Sequence, residues 1–375
     1  MMRRAAALAL LVAASGCNPA LRIGVVLPER GAAEVYGASV KSGVKLAFDD
    51  ALAAGTAPPG LEVVYRDSGS DPTRAAGAAE ALFESGALVV IGGVTSAEAK
   101  ALIPVADRAE LVLLSPSASA PDLARRSRFF FRVYPSDELE GVKAADFLVL
   151  VRDARTVLVL QEDNDYTRGL LPIFVRELGS RGGRVAGSIR LDEGGWQAQV
   201  RDVLAKHAPD GVYVCGYGEA ILGALRLLRS VGFRGTICTT SAFSAGSVLA
   251  RAGTLAEGVF FPLASLDTAS HSEPVRSFVK RYEASYNLLP DIYAAHGYDA
   301  ALAVLAAVKG LEQRSGASVA GRLRTLPGVA GVMGPLDFDE DGNIRHALRN
   351  HWIHNGKVED FESFSAREHQ SGGGA

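Results

Sequence analysis

Leu21-Arg-Ile-Gly-Val-Val-Leu27 is the stretch from which the fold can be read. Apart from Arg22 it is apolar without alternation, so both faces of the strand are expected to be covered, as in a parallel sheet between two layers of helices. The neighbouring segments fit such a sheet. Over 37–54, Val40, Val44, Ala47, Phe48, Ala51 and Leu52 fall near one helical face. Residues 61–66 read as a strand. Residues 72–85 read as a helix, with Asp71 as its cap and Pro72 in its first turn. Ala87–Gly92 (ALVVIG) is a second buried strand, 96–109 a helix and 111–114 a strand. The order βαβαβαβ predicts an α/β unit with a parallel sheet.

The pattern then begins again. Thr156–Gln161 (TVLVLQ), Arg184–Arg190, Gly211–Cys215 (GVYVC) and 235–240 read as strands, separated by helices over 167–179, 196–207 and 219–231. Helices are expected over 273–286, 293–313 and 318–324. Asp337–Asn343 reads as a hairpin turn between strands 334–338 and 348–354. At about 150 residues per domain, 375 residues suit two such units. Residues 363–375 read as a loose, Gly-rich tail.

Composition narrows the function. Lys and Arg number 39 against 42 Asp and Glu, a net charge of −3, so no basic excess is present to neutralise nucleic-acid phosphates. The longest apolar run, 5–14, falls short of the roughly 20 residues a membrane-spanning helix needs. Arg3 and Arg4, that run, and the small residues Ala14, Ser15 and Gly16 before Cys17 read as an export signal, 1–17. The end of the signal resembles the lipobox of bacterial lipoproteins, with Ala14 where Leu is usual. The resemblance implies lipidation of Cys17, and Asn18 in place of Asp favours an outer-membrane anchor facing the periplasm.

Several motifs carry plainer readings. Asp337-Phe-Asp-Glu-Asp-Gly342 matches the first half of a calcium loop, but Leu348 stands where the bidentate Glu belongs, so a turn is expected. Gly216-Tyr-Gly218 lacks the third glycine of a dinucleotide fingerprint. His351 and His354 point to opposite faces of a strand, which a shared metal does not allow. Cys215 and Cys238 end neighbouring parallel strands, where disulfide geometry is strained, so two buried thiols are expected. No catalytic motif supports an enzyme, and no metal or cofactor is expected.

The motifs in order resemble one family: 21–28 with Tyr36-Gly37, Tyr65-Arg-Asp67 with Asp71-Pro72, Ile91-Gly-Gly93 with Ser96, Leu114-Ser-Pro-Ser-Ala-Ser119, Phe130-Phe-Arg132 with Pro135-Ser-Asp137, Tyr166-Thr-Arg-Gly169 and Arg229-Ser-Val-Gly232. Together they resemble type I periplasmic solute-binding proteins, the leucine/isoleucine/valine-binding family of ABC transporters. The resemblance implies two Rossmann-like lobes with parallel sheets, joined by three crossover strands. The N-lobe would be 21–134 with 264–335, and the C-lobe 135–263 with 336–362. Ligand would lie between the lobes. The general rule that open α/β sheets bind at the carboxyl ends of their strands reaches the same place.

By the resemblance, Ser96 receives a ligand carboxylate. Its alternative is a plain helix cap. Ser117 and Ser119 hold carboxylate and amine, and Tyr36, Tyr166 and Tyr217 wall the ligand. The family's acidic partner for the ligand ammonium falls at Ser241, which carries no charge; Glu219, Asp163 and Asp165 are the nearby acids offered as substitutes. The expected function is an extracytoplasmic, monomeric solute-binding lipoprotein. It would capture a small carboxylate, an amino acid or a relative, and deliver it to an ABC permease in the membrane. Its contacts are the ligand, the permease and the lipid anchor, with no nucleic acid. The alternative is a ligand-sensing or regulatory lipoprotein of the same fold acting on a membrane or cell-wall partner.

Overall fold

The computed structural model describes residues 20–264, 266–268, 270–326 and 328–372. The expected signal segment and Cys17 lie outside them. Continuous apolar runs form the first sheet: β1 (Leu21–Leu27), β2 (Leu61–Asp67), β3 (Ala87–Gly92), β4 (Val112–Ser115) and β5 (Phe130–Arg132). All neighbours are parallel, in the order β2-β1-β3-β4-β5. The helices between them are α1 (Glu34–Ala53), α2 (Pro72–Glu84) and α3 (Ser96–Ala109). The chain then passes through α4 (Asp137–Asp146) into a second sheet. Its strands are β6 (Thr156–Gln161), β7 (Arg184–Arg190), β8 (Gly211–Cys215), β9 (Thr236–Thr239) and β10 (Val259–Leu263). Between these lie α5 (Asp165–Ser180), α6 (Trp196–His207), α7 (Gly218–Ser230) and α8 (Gly246–Ala252). After β10 come α9 (Glu273–Tyr286), α10 (Ile292–Val308) and α11 (Gly316–Arg324), and α10 packs along α1. The last elements are β11 (Arg349–His354), β12 (Lys357–Asp360) and α12 (Phe361–Gly372).

The α1–α10 contact is unusually close. A Cβ on Gly43 would stand 1.8 Å from the Ala294 carbonyl oxygen, and one on Gly297 would stand 2.4 Å from that of Val40. Two glycines therefore let these backbones touch, which fixes α10 to the first sheet's half of the molecule.

The second sheet runs β12-β11-β10-β9-β8-β6-β7. It is parallel from β10 to β7, but β11 and β12 join antiparallel. This corrects the expected pairing of 348–354 with 334–338. Asn355-Gly356, both with positive φ (52° and 72°), turns β11 back into β12. Asp337–Asn343 is still a turn: the Asp339 carboxylate accepts N–H bonds from Asp341 (2.9 Å) and Asn343 (2.8 Å). The loose tail expected from 363 is also corrected, because α12 runs to Gly372. Phe361 and Phe364 pack on Trp352, with ring centroids 5.6 and 4.9 Å away, and this apolar contact orders the segment.

The third passage between the sheets comes later than Pro335. Arg132 of β5 donates its N–H to Gly342 (2.9 Å) and accepts one from Ile344 (3.1 Å), so the returning chain still ladders onto the first sheet there. The Arg132 side chain is buried beneath it. Nε donates to Asn343 Oδ1 (2.7 Å) and Nη1 to the Ala120 carbonyl (2.9 Å). Cys215 and Cys238 are buried free thiols. Among the described residues no helix is long and apolar enough to cross a membrane.

Candidate functional site

In both sheets the strand order reverses beside the first strand of the unit, β1 in one and β6 in the other. Such reversals leave a crevice at the strands' carboxyl ends. The segments following β1, β3, β4, β6, β8 and β9 carry Tyr36, Ser96, Ser117 and Ser119, Tyr166, Tyr217 and Ser241 respectively. All of them line one cleft between the two halves. Tyr134, just after β5, and Tyr293, at the start of α10, complete the wall and were missed in the sequence. The walls approach so closely that the cavity measures about 20 Å³, room for about one water.

Ser96 is not the cap of α3. Thr95 is: its Oγ1 accepts the Glu98 N–H (3.2 Å), and the Glu98 carboxylate accepts the Thr95 N–H (3.2 Å). Ser96 is thereby free to face the cleft. Its Oγ accepts the Ala120 N–H (3.2 Å), which leaves its own proton to donate. The first-turn N–H groups of α3 and the helix dipole point the same way, so this corner suits an anion. Ser117 is the opposite case. Its hydroxyl donates to the Val94 carbonyl (2.8 Å), so only lone pairs remain to face the cleft. The Ser119 carbonyl accepts the Asp137 N–H (3.0 Å), which ties this loop to the start of α4.

The aromatic wall is continuous. Tyr36 lies 5.6 Å from Tyr217 and 4.9 Å from Tyr293 between ring centroids; Tyr166 lies 5.3 Å from Tyr217, and Tyr134 stacks on Tyr293 at 6.3 Å. Tyr36 and Tyr166 are buried and Tyr217 is half-buried. The Tyr36 hydroxyl also ties the halves together. It accepts the Gly218 N–H (2.8 Å) and donates to the Ala242 carbonyl (3.2 Å). Lys100 to Asp165 (2.9 Å) and the Gly246 N–H to Asp291 (3.0 Å) cross the same gap nearer the surface.

None of the acids offered as substitutes at Ser241 reaches the cleft wall. Glu219 pairs with Arg251 (2.9 Å), Asp163 with Arg168 (2.6 Å) and Arg190 (3.2 Å), and Asp165 with Lys100. The acid beside Ser241 is Glu140 of α4. Its carboxylate accepts the Ser241 N–H (2.9 Å), the Ser241 hydroxyl (2.7 Å) and the Tyr166 hydroxyl (3.1 Å). Burial raises its pKa to about 7 against the opposing pull of those three donors. Asp137, one turn before it, is held well above the usual carboxylate range. Burial is the first cause and the Glu140 charge the second, partly offset by Ser119 and Arg132.

A sequence profile described as periplasmic binding protein matches residues 20–353. The chain belongs to the periplasmic binding protein family. Within that family it is 24% identical over 331 residues to the leucine-, isoleucine-, valine-, threonine- and alanine-binding protein of Pseudomonas aeruginosa, covering 87% of each chain. A leucine-binding protein from Thermotoga maritima superposes with a TM-score of 0.84 at 27% identity, over 91% of this chain and 97% of that one. The branched-chain amino acid transporter substrate-binding protein of Streptococcus pneumoniae, solved with isoleucine, gives 0.84 at 25% identity, over 91% and 98%. These relatives are named for binding solutes and not for turning them over. The fold is the α/β architecture of the family, with two sheets facing across the cleft.

Proposed function

We propose that the protein captures a small carboxylate, an amino acid or a close relative, between its lobes and hands it to an ABC importer. One observation carries this reading: Ser96, free of capping duty at the N-terminus of α3, lines one cleft with tyrosines from both halves, Tyr36 and Tyr293 from its own and Tyr166 and Tyr217 from the other. The hydroxyl and helix end take the carboxylate, and the rings enclose the rest. A cavity of about 20 Å³ is too small for such a molecule, so capture requires the halves to part and close again. The moving bodies are the lobes 21–134 with 264–344 and 135–263 with 345–362, the last boundary lying where the returning chain leaves Arg132, and the protein works as a monomer. The relatives' amino-acid ligands point to the same class of solute.

Calorimetric titration with a panel of amino acids and their deaminated counterparts tests the reading. Ser96→Ala and Ser119→Ala should each weaken the best binder by about 10- to 150-fold, the loss of one hydrogen bond to a charged group. If neither class binds and sugars or cations do, the site is misassigned.

The protein reaches its place of work as a lipoprotein, anchored through Cys17 with the outer membrane favoured. Cys17→Ser should abolish labelling by a lipid precursor and release the protein from membranes. Unchanged fractionation would leave an ordinary cleaved signal as the better reading.

A further inference from the structure

We infer that Glu140 is the residue that makes this cleft select ligands carrying an amine, acting through the hydroxyls of Ser241 and Tyr166. The inference rests on the carboxylate-capture reading above and names what occupies the other end of the site.

The argument begins from hydrogen-bond direction. A hydroxyl has one proton, and the proton's destination decides what the oxygen can still do. Ser241 gives its proton to Glu140 Oε2, and Tyr166 gives its proton to Oε1. Both residues line the cleft. What they offer a ligand is therefore lone pairs, polarised by a carboxylate directly behind them. Ser117, with its proton on the Val94 carbonyl, adds a third acceptor. Ser96 alone of these has its proton free for a carboxylate. The cleft thus has a donor end at α3 and an acceptor end backed by a negative charge. That polarity matches an ammonium and a carboxylate on one molecule. It also shows how position 241 can be a serine: the charge sits one hydrogen bond behind it, on α4.

Protonating Glu140 would reverse this end of the site. A proton on Oε2 makes the carboxyl the donor to Ser241, whose own hydroxyl is then released to donate toward the cleft. The ionised form suits an amine and the protonated form does not. Burial holds the exchange near neutrality, at about pH 7.

The phenols, thiols, arginine and histidine around Glu140 do not change charge there. Burial keeps the phenols of Tyr134, Tyr166, Tyr213 and Tyr293 and the thiols of Cys215 and Cys238 protonated. Asp137, on the same helix, is also raised, first by burial and then by the Glu140 charge, so Glu140→Gln is the variant that separates the two carboxyls. Arg132 on β5 stays charged, its pKa lowered only to about 10, and His296, packed on Tyr134, stays neutral down to about pH 3.

The test uses the mature chain and paired probes: leucine with 4-methylpentanoate, and phenylalanine with 3-phenylpropanoate. Calorimetry at pH 7.5 and 5.5 gives, for each pair, the ratio of the two affinities. In the unaltered protein the amino acid should bind better at pH 7.5. Its advantage should shrink by about tenfold or more at pH 5.5, because the ligand's ammonium must then displace the Glu140 proton. Glu140→Gln should reduce the ratio by about 10- to 150-fold and flatten its pH dependence. Adding Ser241→Glu to that variant should restore the preference, which a merely misfolded cleft could not do. Equal weakening of both probes, a pH profile unchanged by Glu140→Gln, or a preference for the deaminated acid at both pH values would overturn the inference and leave carboxylate capture standing. Failure of both probe classes to bind the unaltered protein would instead bring down the functional reading itself, and this inference with it.

Discussion

Replacing Arg132 by leucine is expected to lower the free energy of unfolding by about 3–5 kcal/mol, the usual consequence of removing one member of a buried charged network. Arg132 is among the largest fully buried side chains. It reaches the Asn343 side chain and the Ala120 carbonyl at once, while its backbone pairs with Gly342 and Ile344. One residue therefore ties β5, the loop that carries Ser117 and Ser119, and the returning chain into one block. Its charge also opposes the buried carboxyls, with Asp137 the strongest of its acidic neighbours. Leucine would bury similar hydrocarbon and leave Asn343, the Ala120 carbonyl and the acids unanswered. Arg132→Lys should fall between, because it keeps the charge and loses the fork. Urea unfolding midpoints measure both. A shift below about 1 kcal/mol for leucine would show that the passage is held by packing alone.

Gly43→Val and Gly297→Val are expected to be at least as damaging, at about 3 kcal/mol or more each. The clash is with backbone carbonyl oxygens of the facing helix, at 1.8 and 2.4 Å, and no side-chain rotation relieves it. The helices would have to separate. Because α1 carries Tyr36 and α10 begins beside Tyr293, separation would also pull the aromatic wall apart, so ligand affinity should fall with stability. Gly77→Ala on α2 is the control. It has no neighbour within 4 Å of the added methyl and should raise stability by about 0.5–1 kcal/mol. A thermal melt of the three variants separates close approach from helix propensity. If the valine variants melt with the unaltered protein, the α1–α10 contact is looser than described.

The two sheets were legible because parallel strands bury both faces and leave unbroken apolar runs, from LRIGVVL in β1 to GVYVC in β8. The antiparallel edge was read wrongly. Asn355-Gly356 signals a hairpin, yet β12 (KVED) carries too little apolar pattern to stand out as its second strand. Six of the residues expected at the site, Tyr36, Ser96, Ser117, Ser119, Tyr166 and Tyr217, follow strand ends, and there the topology alone predicts a crevice. Ser241 does too. Tyr134 and Tyr293 lie on a crossing segment and on a helix of the returning chain, and nothing in their local pattern points to the cleft.

Glu140 was legible in a way that went unused. In α4 the buried positions are Asp137, Glu140, Gly141, Ala144 and Ala145, spaced i, i+3, i+4, i+7, i+8. That is the core-facing stripe of a helix, with two acids at its start. Acids near a helix N-terminus usually read as surface residues favoured by the dipole. The small residues continuing the stripe were the sign that these two point inward.

The Tyr36 hydroxyl bridges the cleft to Gly218 and Ala242 with bonds that involve no cargo. Such bonds strengthen closure by the same increment for every solute, so they contribute nothing to telling one solute from another. They do enlarge the share of molecules already in the capture-competent shape, and apparent affinity rises in proportion to that share. A membrane partner that recognises the shape would then also meet molecules that have shut around water. When solute is scarce, the tyrosine extends the concentration range over which the protein is useful. On the proposed reading, when solute is plentiful it would add idle encounters at the permease and blur the contrast between a loaded carrier and an unloaded one.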